Sequence, residues 1–405
     1  MEDVRRAIEI SVRESYGRLI AYLAARTRDV AGAEDALSAA LLAALETWPR
    51  DGVPQKPEAW LLTTARRRLI DRARHQRTRE AGISTLQLIT EESDEMASPD
   101  KFPDERLKLL FVCAHPAIDP GVHTPLMLQS VLGLDAARIA QAFLVSPATM
   151  GQRLVRAKAK IRDAGIAFEI PEDCELPQRL NAVLDAIYAA YGSGWEDTAG
   201  ADPRRHGLAD EAIRLVRLLV QHMPDEPEAR GLLALMLHCE ARRSARRAPD
   251  GRYIPLLEQD VHCWSKPMIE EAEQALFVAA RQARPGRFQT EAAIQSVHAE
   301  RAHNGRTDWY AIISFYEYLV QLAPTLGARV GHAAAVAEAN GFKQGLALLN
   351  QIEFAAVAAY QPYWAVRAHL LKKLGRKNEA LEAYDHAIGL SEDDAVRQFL
   401  LEQRE

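Results

Sequence analysis

The chain has 405 residues, 48% hydrophobic and 26% charged, with a formal net charge of −6. This composition fits a globular protein of two or three domains. The longest strongly apolar stretch, Leu232–Cys239, is too short to span a bilayer, and the N-terminal MEDVRRAIEI lacks the apolar core of a secretory signal. The four cysteines, Cys113, Cys174, Cys239 and Cys263, show no CxxC spacing, which argues against a disulfide framework or a zinc site. A cytoplasmic protein with no metal or cofactor is therefore expected. Ala, Leu, Arg and Glu are abundant and extended runs of Val, Ile and Thr are missing, so an all-α fold is expected.

Residues 10–48 read as two helices. SYGRLIAYLAART carries apolar side chains at Leu19, Ile20, Tyr22 and Leu23, and VAGAEDALSAALLAALETW is nearly continuous in helix formers. WPRDGVPQKP, residues 48–57, holds three prolines and the Asp51-Gly52 pair and is expected to be a loop. A helix follows in PEAWLLTTARRRLIDRARHQRTR, residues 57–79, with Pro57 in its first turn. Its Arg66, Arg67, Arg68, Arg72, Arg74, Arg77 and Arg79 meet only Asp71 and Glu80. A surface helix laced by i,i+4 ion pairs needs more acids than that, so the face suits the phosphates of a nucleic acid. Trp60, beside Leu61 and Leu62, is expected in the core rather than stacked on a base. Residues 81–105 then turn acidic: Glu91, Glu92, Asp94, Glu95, Asp100, Asp104 and Glu105 stand against the single Lys101. Polar and Pro-punctuated, this stretch reads as a tether.

DAARIAQAFLVSPATMGQRLVRAKAKIR, residues 135–162, has the pattern of a helix-turn-helix. Asp135 can cap the first helix, and Ser146 followed by Pro147 is a start signal for the second. In that second helix Met150, Leu154, Ala157 and Ile161 recur as a buried seam. Thr149, Gln152, Arg153 and Arg156 lie toward the end that reaches base edges, with Arg153 suited to guanine and Gln152 to adenine. Arg156, Lys158, Lys160 and Arg162 suit phosphates. A solvated helix face would explain the charge alone, but the combined first helix, short turn and S-P-x-T start favour DNA binding.

Pro171 and Pro177 mark a further boundary, after which weak repetition at a tetratricopeptide-like period begins. In QPYWAVRAHLLKKLGRKNEALEAYDHAIGL, the residues Trp364, Ala368, Gly375, Ala380, Tyr384 and Ala387 fall where two antiparallel helices need small or aromatic residues. DEAIRLVRLLVQHMP, ending in Pro224, and AAAVAEANGFKQGLALLNQI are weaker units. Glu258, Asp260, His262 and Cys263 cluster in sequence, but no second ligand group and no H-E-x-x-H or G-x-S-x-G pattern accompanies them, so no enzyme is expected. A structural role is expected instead, with Asp250-Gly251 in a turn and Glu258 or Asp260 paired with Arg242, Arg243, Arg246 or Arg247. Most of the aromatics Trp309, Tyr310, Phe315, Tyr316 and Tyr318, at helical spacing, are expected in the core.

Taken together, these segments resemble a known family. AEDALSAALLAALETWPRDGVPQKPEAWLLTTARRRLIDRAR resembles region 2 of bacterial extracytoplasmic-function (ECF) sigma factors, of the sigma-70 superfamily. DERLKLLFVCAHPAIDPGVHTPLMLQSVLGLDAARIAQAFLVSPATMGQRLVRAKAKIR resembles their region 4. The tail is similar to that of the subgroup with a C-terminal tetratricopeptide-type extension, whose D-G-x and L-L-x-x-Q-D motif reads here as APDGRYIPLLEQD, residues 248–260. The resemblance implies region 2 at 1–80, an acidic linker at 81–105, region 4 at 106–166 and a tetratricopeptide-like domain at 167–405. It further implies that Glu34 and Asp35 meet the clamp helices of core RNA polymerase, whose flap is a further contact. Loop 48–56 would take an extruded base of the melted −10 promoter element, while Arg66, Arg67, Arg72 and Arg74 hold its backbone. Thr149, Gln152, Arg153, Arg156, Lys158 and Lys160 would bind the −35 duplex. The tail would bind a protein partner or dock within the chain. The sequence departs from the pattern at Ser38 and Ala39, where glutamine and glutamate are usual, and at Val261-His262-Cys263, where an arginine-rich continuation is usual. Two other readings stay open: a helix-turn-helix regulator that binds duplex DNA without polymerase, and a repeat scaffold.

Overall fold

The computed structural model describes residues 2–77, 104–143, 145–172, 175–196 and 207–405. Among them there is no strand, only one isolated antiparallel bridge between Arg247 and Tyr253, so the fold is all-α as expected. The chain divides into two compact units. The first joins Met1–Gly192 to Gly207–Leu215, and the second is built on Val216–Glu405. Residues 167–192, placed with the tail by sequence, cluster with the first unit.

The first unit begins with α1 (Glu2–Thr27), α2 (Val30–Asp51) and α3 (Pro57–Arg77), which pack on one another. Asp29 caps α2 by accepting a hydrogen bond from the Gly32 amide at 3.0 Å. Leu19, Ile20, Tyr22 and Leu23 are buried as the periodicity predicts, together with Leu37, Trp48, Leu61 and Leu62. One expectation is corrected here: α2 continues through Pro49 to Asp51, so the loop is confined to residues 52–56. A proline inside a helix costs about 3 kcal/mol, and burying an aromatic side chain returns roughly as much. Trp48 is 2% exposed, and the Gly52 amide closes the last turn on the Trp48 carbonyl at φ +84°.

Four helices follow: α4 (Arg106–Cys113), α5 (Pro120–Ser130), α6 (Ala136–Ala142) and α7 (Pro147–Asp163). The caps predicted from sequence are formed. Asp135 accepts from the Arg138 amide at 2.9 Å, Ser146 accepts from the Thr149 amide at 3.1 Å, and Pro147 opens α7. Met150, Leu154, Ala157 and Ile161 are all buried. The end of the acidic stretch is not tether but structure: Asp104 bonds Arg106 and Glu105 pairs with Lys108 at the start of α4. Residues 81–103 of that stretch lie outside the described residues. Arg106, 9% exposed, also pairs with Glu211, which ties α4 to α9 (Leu208–His222). Helix α8 (Leu176–Glu196) adds Leu180, Val183, Leu184 and Ile187 to the buried set.

The second unit runs from α10 (Pro227–Ala241) through α11 (Lys266–Ala280), α12 (Arg287–Ala299), α13 (Arg301–Asn304) and α14 (Trp309–Leu322). It continues with α15 (Leu326–Asn340), α16 (Phe342–Leu349), α17 (Phe354–Val357), α18 (Gln361–Lys373), α19 (Lys377–Leu390) and α20 (Asp394–Arg404). Helices close in the chain pack on one another: α10 on α11 and α12, α15 on α14 and α16, and α18 on α19. Gly231 lets α10 touch α12, because a Cβ there would lie 2.5 Å from the Gln289 amide nitrogen. Glu228 caps α12 from outside, accepting from the Phe288 and Gln289 amides at 2.9 and 3.1 Å. Trp364, Ala368, Ala380, Tyr384 and Ala387 are buried in one cluster, and Gly375 turns between α18 and α19 at φ +75°.

Two expectations for this unit are corrected. The buried stripe of α14 is Ile312, Ile313 and Leu319, with Trp309 and Tyr316 packed against it, whereas Tyr310, Phe315 and Tyr318 are exposed. Glu258 and Asp260 form no ion pair with the four upstream arginines among the described residues. Asp260 caps its own turn at the His262 amide, and Arg247 pairs with Asp393. What gathers the 248–260 motif is Arg301, which donates to the carbonyls of Leu256, Leu257 and Gln259 at 2.9–3.0 Å. Tyr253 meets Phe399 of α20 edge to face at 5.5 Å, so the motif fastens distant helices of this unit together.

Candidate polymerase and nucleic-acid interface

Five of the seven arginines of the arginine-rich helix have described side chains; the Arg77 side chain and Arg79 lie outside the described residues. Leu61, Leu62 and Ala65 of α3 are buried, which turns Arg67, Arg68, Arg72 and Arg74 to solvent and leaves Arg66 half-buried. Trp60 is half-buried and packs edge to face on Trp48 at 5.5 Å, a core role at the rim of loop 52–56. Arg67 and Arg68 have no ion pair among the described residues. Arg74 lies 3.9 Å from Asp71, and Arg72 bonds Asp35 of α2 at 2.9 Å. The latter pair is exposed on both sides, 46% and 69%, and is worth less than about 1 kcal/mol. Solvent can compete for both partners, and phosphate for Arg72.

Helix α7 presents Gln152, Arg153, Arg156 and Lys160 on its exposed side, and Arg153 and Lys160 have no ion pair among the described residues. Thr149, half-buried, shares its hydroxyl with the Ser146 cap at 2.8 Å. Lys158 differs from the rest. It is 5% exposed, and its Nζ donates to Glu34 Oε2 at 2.5 Å and to Gln129 Oε1 at 2.6 Å. Glu34 also accepts from Ser130 Oγ at 3.1 Å. The acidic pair of α2 is therefore split: Asp35 holds a cation of α3, and Glu34 holds a cation of α7.

The spacing of Lys158 explains its burial. It stands four residues after Leu154 and three before Ile161, on the edge of the apolar seam, and a charge there needs a partner. Glu34 supplies one from 124 residues away. Both charges act on a buried thiol: burial pushes the Cys113 thiol up, the Lys158 charge opposes that shift, and Glu34 adds to it. Tyr16 is pushed up in the same way, first by burial and then by Glu34. Gln129 and Ser130, at the end of α5, complete the cluster, and sequence reasoning did not single them out.

Sequence reasoning also missed an apolar strip on α2. Leu42 and Leu45 are 62% and 45% exposed, and Asp35, Ser38, Leu42 and Leu45 recur at helical spacing on one exposed face. Apolar side chains on a helix face beside an acidic residue suit a protein partner rather than DNA. The signal was legible in the spacing, because the same helix already has a full buried stripe at Ala33, Leu37, Ala40 and Ala44.

Residues 12–79, which hold α2, α3 and the larger part of α1, match the family model of sigma-70 region 2. Residues 179–280 match a family of unknown function, DUF6596, whose matched stretch includes the 248–260 motif. The chain is 38% identical to uncharacterized protein R00370 of Rhizobium meliloti (strain 1021) over 384 residues, covering 93% of this chain and 89% of that one. No solved structure matches the chain. These sequence matches define a sigma-70-type protein. The chain belongs to the sigma-70 family, as a member that joins region 2 to a C-terminal DUF6596 domain, an arrangement consistent with an ECF-like sigma factor that carries a C-terminal extension. Among the described residues no helix is long and apolar enough to cross a membrane.

Proposed function

We propose that the protein is an ECF-type sigma factor, a non-catalytic cytoplasmic subunit that binds core RNA polymerase and directs promoter-specific initiation. The observation that carries this reading is the matched region 2 itself. Within it, one helix, α2, exposes Asp35, Leu42 and Leu45, and the next, α3, exposes Arg67, Arg68, Arg72 and Arg74. A protein that must hold a polymerase on one side and melted DNA on the other needs such a division. In this reading the α2 face meets the clamp helices, and α3 with loop 52–56 holds the opened −10 strand. Helix α7 reads the −35 duplex through Gln152, Arg153 and Arg156, with Lys160 on phosphate.

The Glu34–Lys158 pair gives this reading a resting state. With the pair closed, Glu34 is engaged inside the first unit and Lys158 is withheld from phosphate. Engagement of the polymerase would exchange Lys158 for a polymerase cation and release it to DNA. The tetratricopeptide-like tail would act as a partner-binding or regulatory part, with the 248–260 motif as its internal fastening.

The test is reconstituted initiation. Core polymerase with the full chain should yield run-off transcripts from a subset of genomic promoter fragments, and Arg67→Ala/Arg68→Ala should reduce yield on duplex promoters more than on pre-melted ones. Absence of transcripts from every fragment, with duplex binding intact and no association with core, would favour the simple helix-turn-helix regulator.

A further inference from the structure

An open groove of about 710 Å³ lies in the second unit between the α16–α17 connection and the paired helices α18 and α19. Volumes of this size suit several side chains of a ligand. Helix α19 turns one face to it, with Glu379, Glu382, Ala383 and His386 at i, i+3, i+4 and i+7, and α18 supplies Trp364 and Arg367. The His386 and Trp364 rings are stacked at 4.2 Å and 21°, and Phe354 meets Trp364 edge to face at 6.1 Å while remaining 64% exposed. The indole N–H is already satisfied, donating to the Ala358 carbonyl at 3.1 Å, and Trp364 is itself buried, so the ring surface open to the groove is that of Phe354 and His386.

The charges around those rings are uneven. Three lining carboxylates, Glu353, Glu379 and Glu382, face one guanidinium, Arg367. Arg367 is held by Asn350, and Glu379 is bound by Arg376, which does not line the groove. Glu353 and Glu382, on opposite elements, have no ion-pair partner among the described residues. Exposed aromatic surface flanked by two uncompensated carboxylates is the chemistry that recognises an extended cationic side chain, whose aliphatic stem lies on the rings while its head meets the acids.

The geometry points to this groove as a docking site for a lysine- or arginine-bearing peptide segment of a protein partner. A peptide, rather than a free amine, fits a groove of this volume whose free carboxylates stand on separate elements. Neither the initiation role nor the Glu34–Lys158 pair enters this inference, so failure of one leaves the other standing.

Fluorescence anisotropy on the full chain tests it, with a labelled ten-residue Lys/Arg-rich peptide, its Asp/Glu counterpart and free arginine amide as competitor. The acidic stretch 81–105 also attracts cations, so the readout is the difference between parent and variants. Glu353→Gln/Glu382→Gln should weaken the basic peptide at least tenfold, and Phe354→Ala several-fold, with thermal unfolding unchanged because all three side chains are exposed. Neutralising Glu91, Glu92, Asp94 and Glu95 should leave the groove-dependent difference intact. Equal binding of parent and double variant overturns the proposal, as does equal affinity for the acidic peptide. Competition by arginine amide at the peptide's own affinity also overturns it, by making the groove a small-molecule site.

Discussion

Neutralising either member of the Glu34–Lys158 pair should be felt in both stability and polymerase binding. At 2.5 Å two unit charges attract by about 7 kcal/mol at an effective dielectric of ~20. Desolvating an ammonium whose side chain is 7% exposed offsets several kcal/mol of that, which leaves a coupling energy of about 2–3 kcal/mol. Glu34→Gln leaves the buried ammonium with neutral acceptors only and should cost about 3–4 kcal/mol. Lys158→Met leaves a carboxylate that is 19% exposed and still bonded to Ser130, and should cost about 2 kcal/mol. The double variant should cost about 3 kcal/mol, well short of the sum. Native-state hydrogen exchange of α2 and α7 amides in the full chain reads these values. Lys158→Met also frees Glu34, so its affinity for core polymerase should rise by about thirtyfold, the equivalent of ~2 kcal/mol. A coupling below about 0.5 kcal/mol, or a Lys158→Met chain that binds core no better than the parent, would refute the resting-state argument.

Three further outcomes are expected. Arg67→Ala/Arg68→Ala should lower the salt dependence of single-strand binding by about 1.4 in the log–log slope, about 0.7 for each phosphate no longer neutralised; an unchanged slope would remove both residues from the interface. His238 is lowered to about 4 by burial and then by Arg242, and His298 to about 4 by burial, Arg242 and Arg301. Each is neutral in the folded chain and takes up its proton near 6.5 when unfolded, so their stabilisation is complete above that pH and is lost as pH falls toward about 4. By pH 5 the loss is roughly 2 kcal/mol per histidine, and urea titrations at pH 7 and 5 should show His238→Leu removing about half of it. Gly231→Ala should lower stability by at least about 2 kcal/mol, because the added methyl meets the Gln289 backbone rather than a side chain that can move; a thermal melt with no downward shift would contradict the packing of α10 on α12.

Signals that act over one turn of chain were legible in the sequence. The caps at Asp135 and Ser146, Pro147 at the start of α7, the seam from Met150 to Ile161 and the outward arginines of α3 depend on residues at most four apart. They hold whatever the rest of the molecule does. The local rules failed where a distant partner outweighed them. Pro49 stays helical because Trp48 is buried, Tyr310, Phe315 and Tyr318 are exposed because Ile312, Ile313 and Leu319 already fill that core, and the 248–260 motif is held by Arg301 rather than by its own acids. The site divides along the same line. The residue types and their cationic helices belong to the sequence, but the assignment of Glu34 to Lys158 and of Asp35 to Arg72 belongs to the fold. An ion pair forms only between side chains brought within a few ångströms, and no spacing within α2 or α7 encodes a partner 124 residues away.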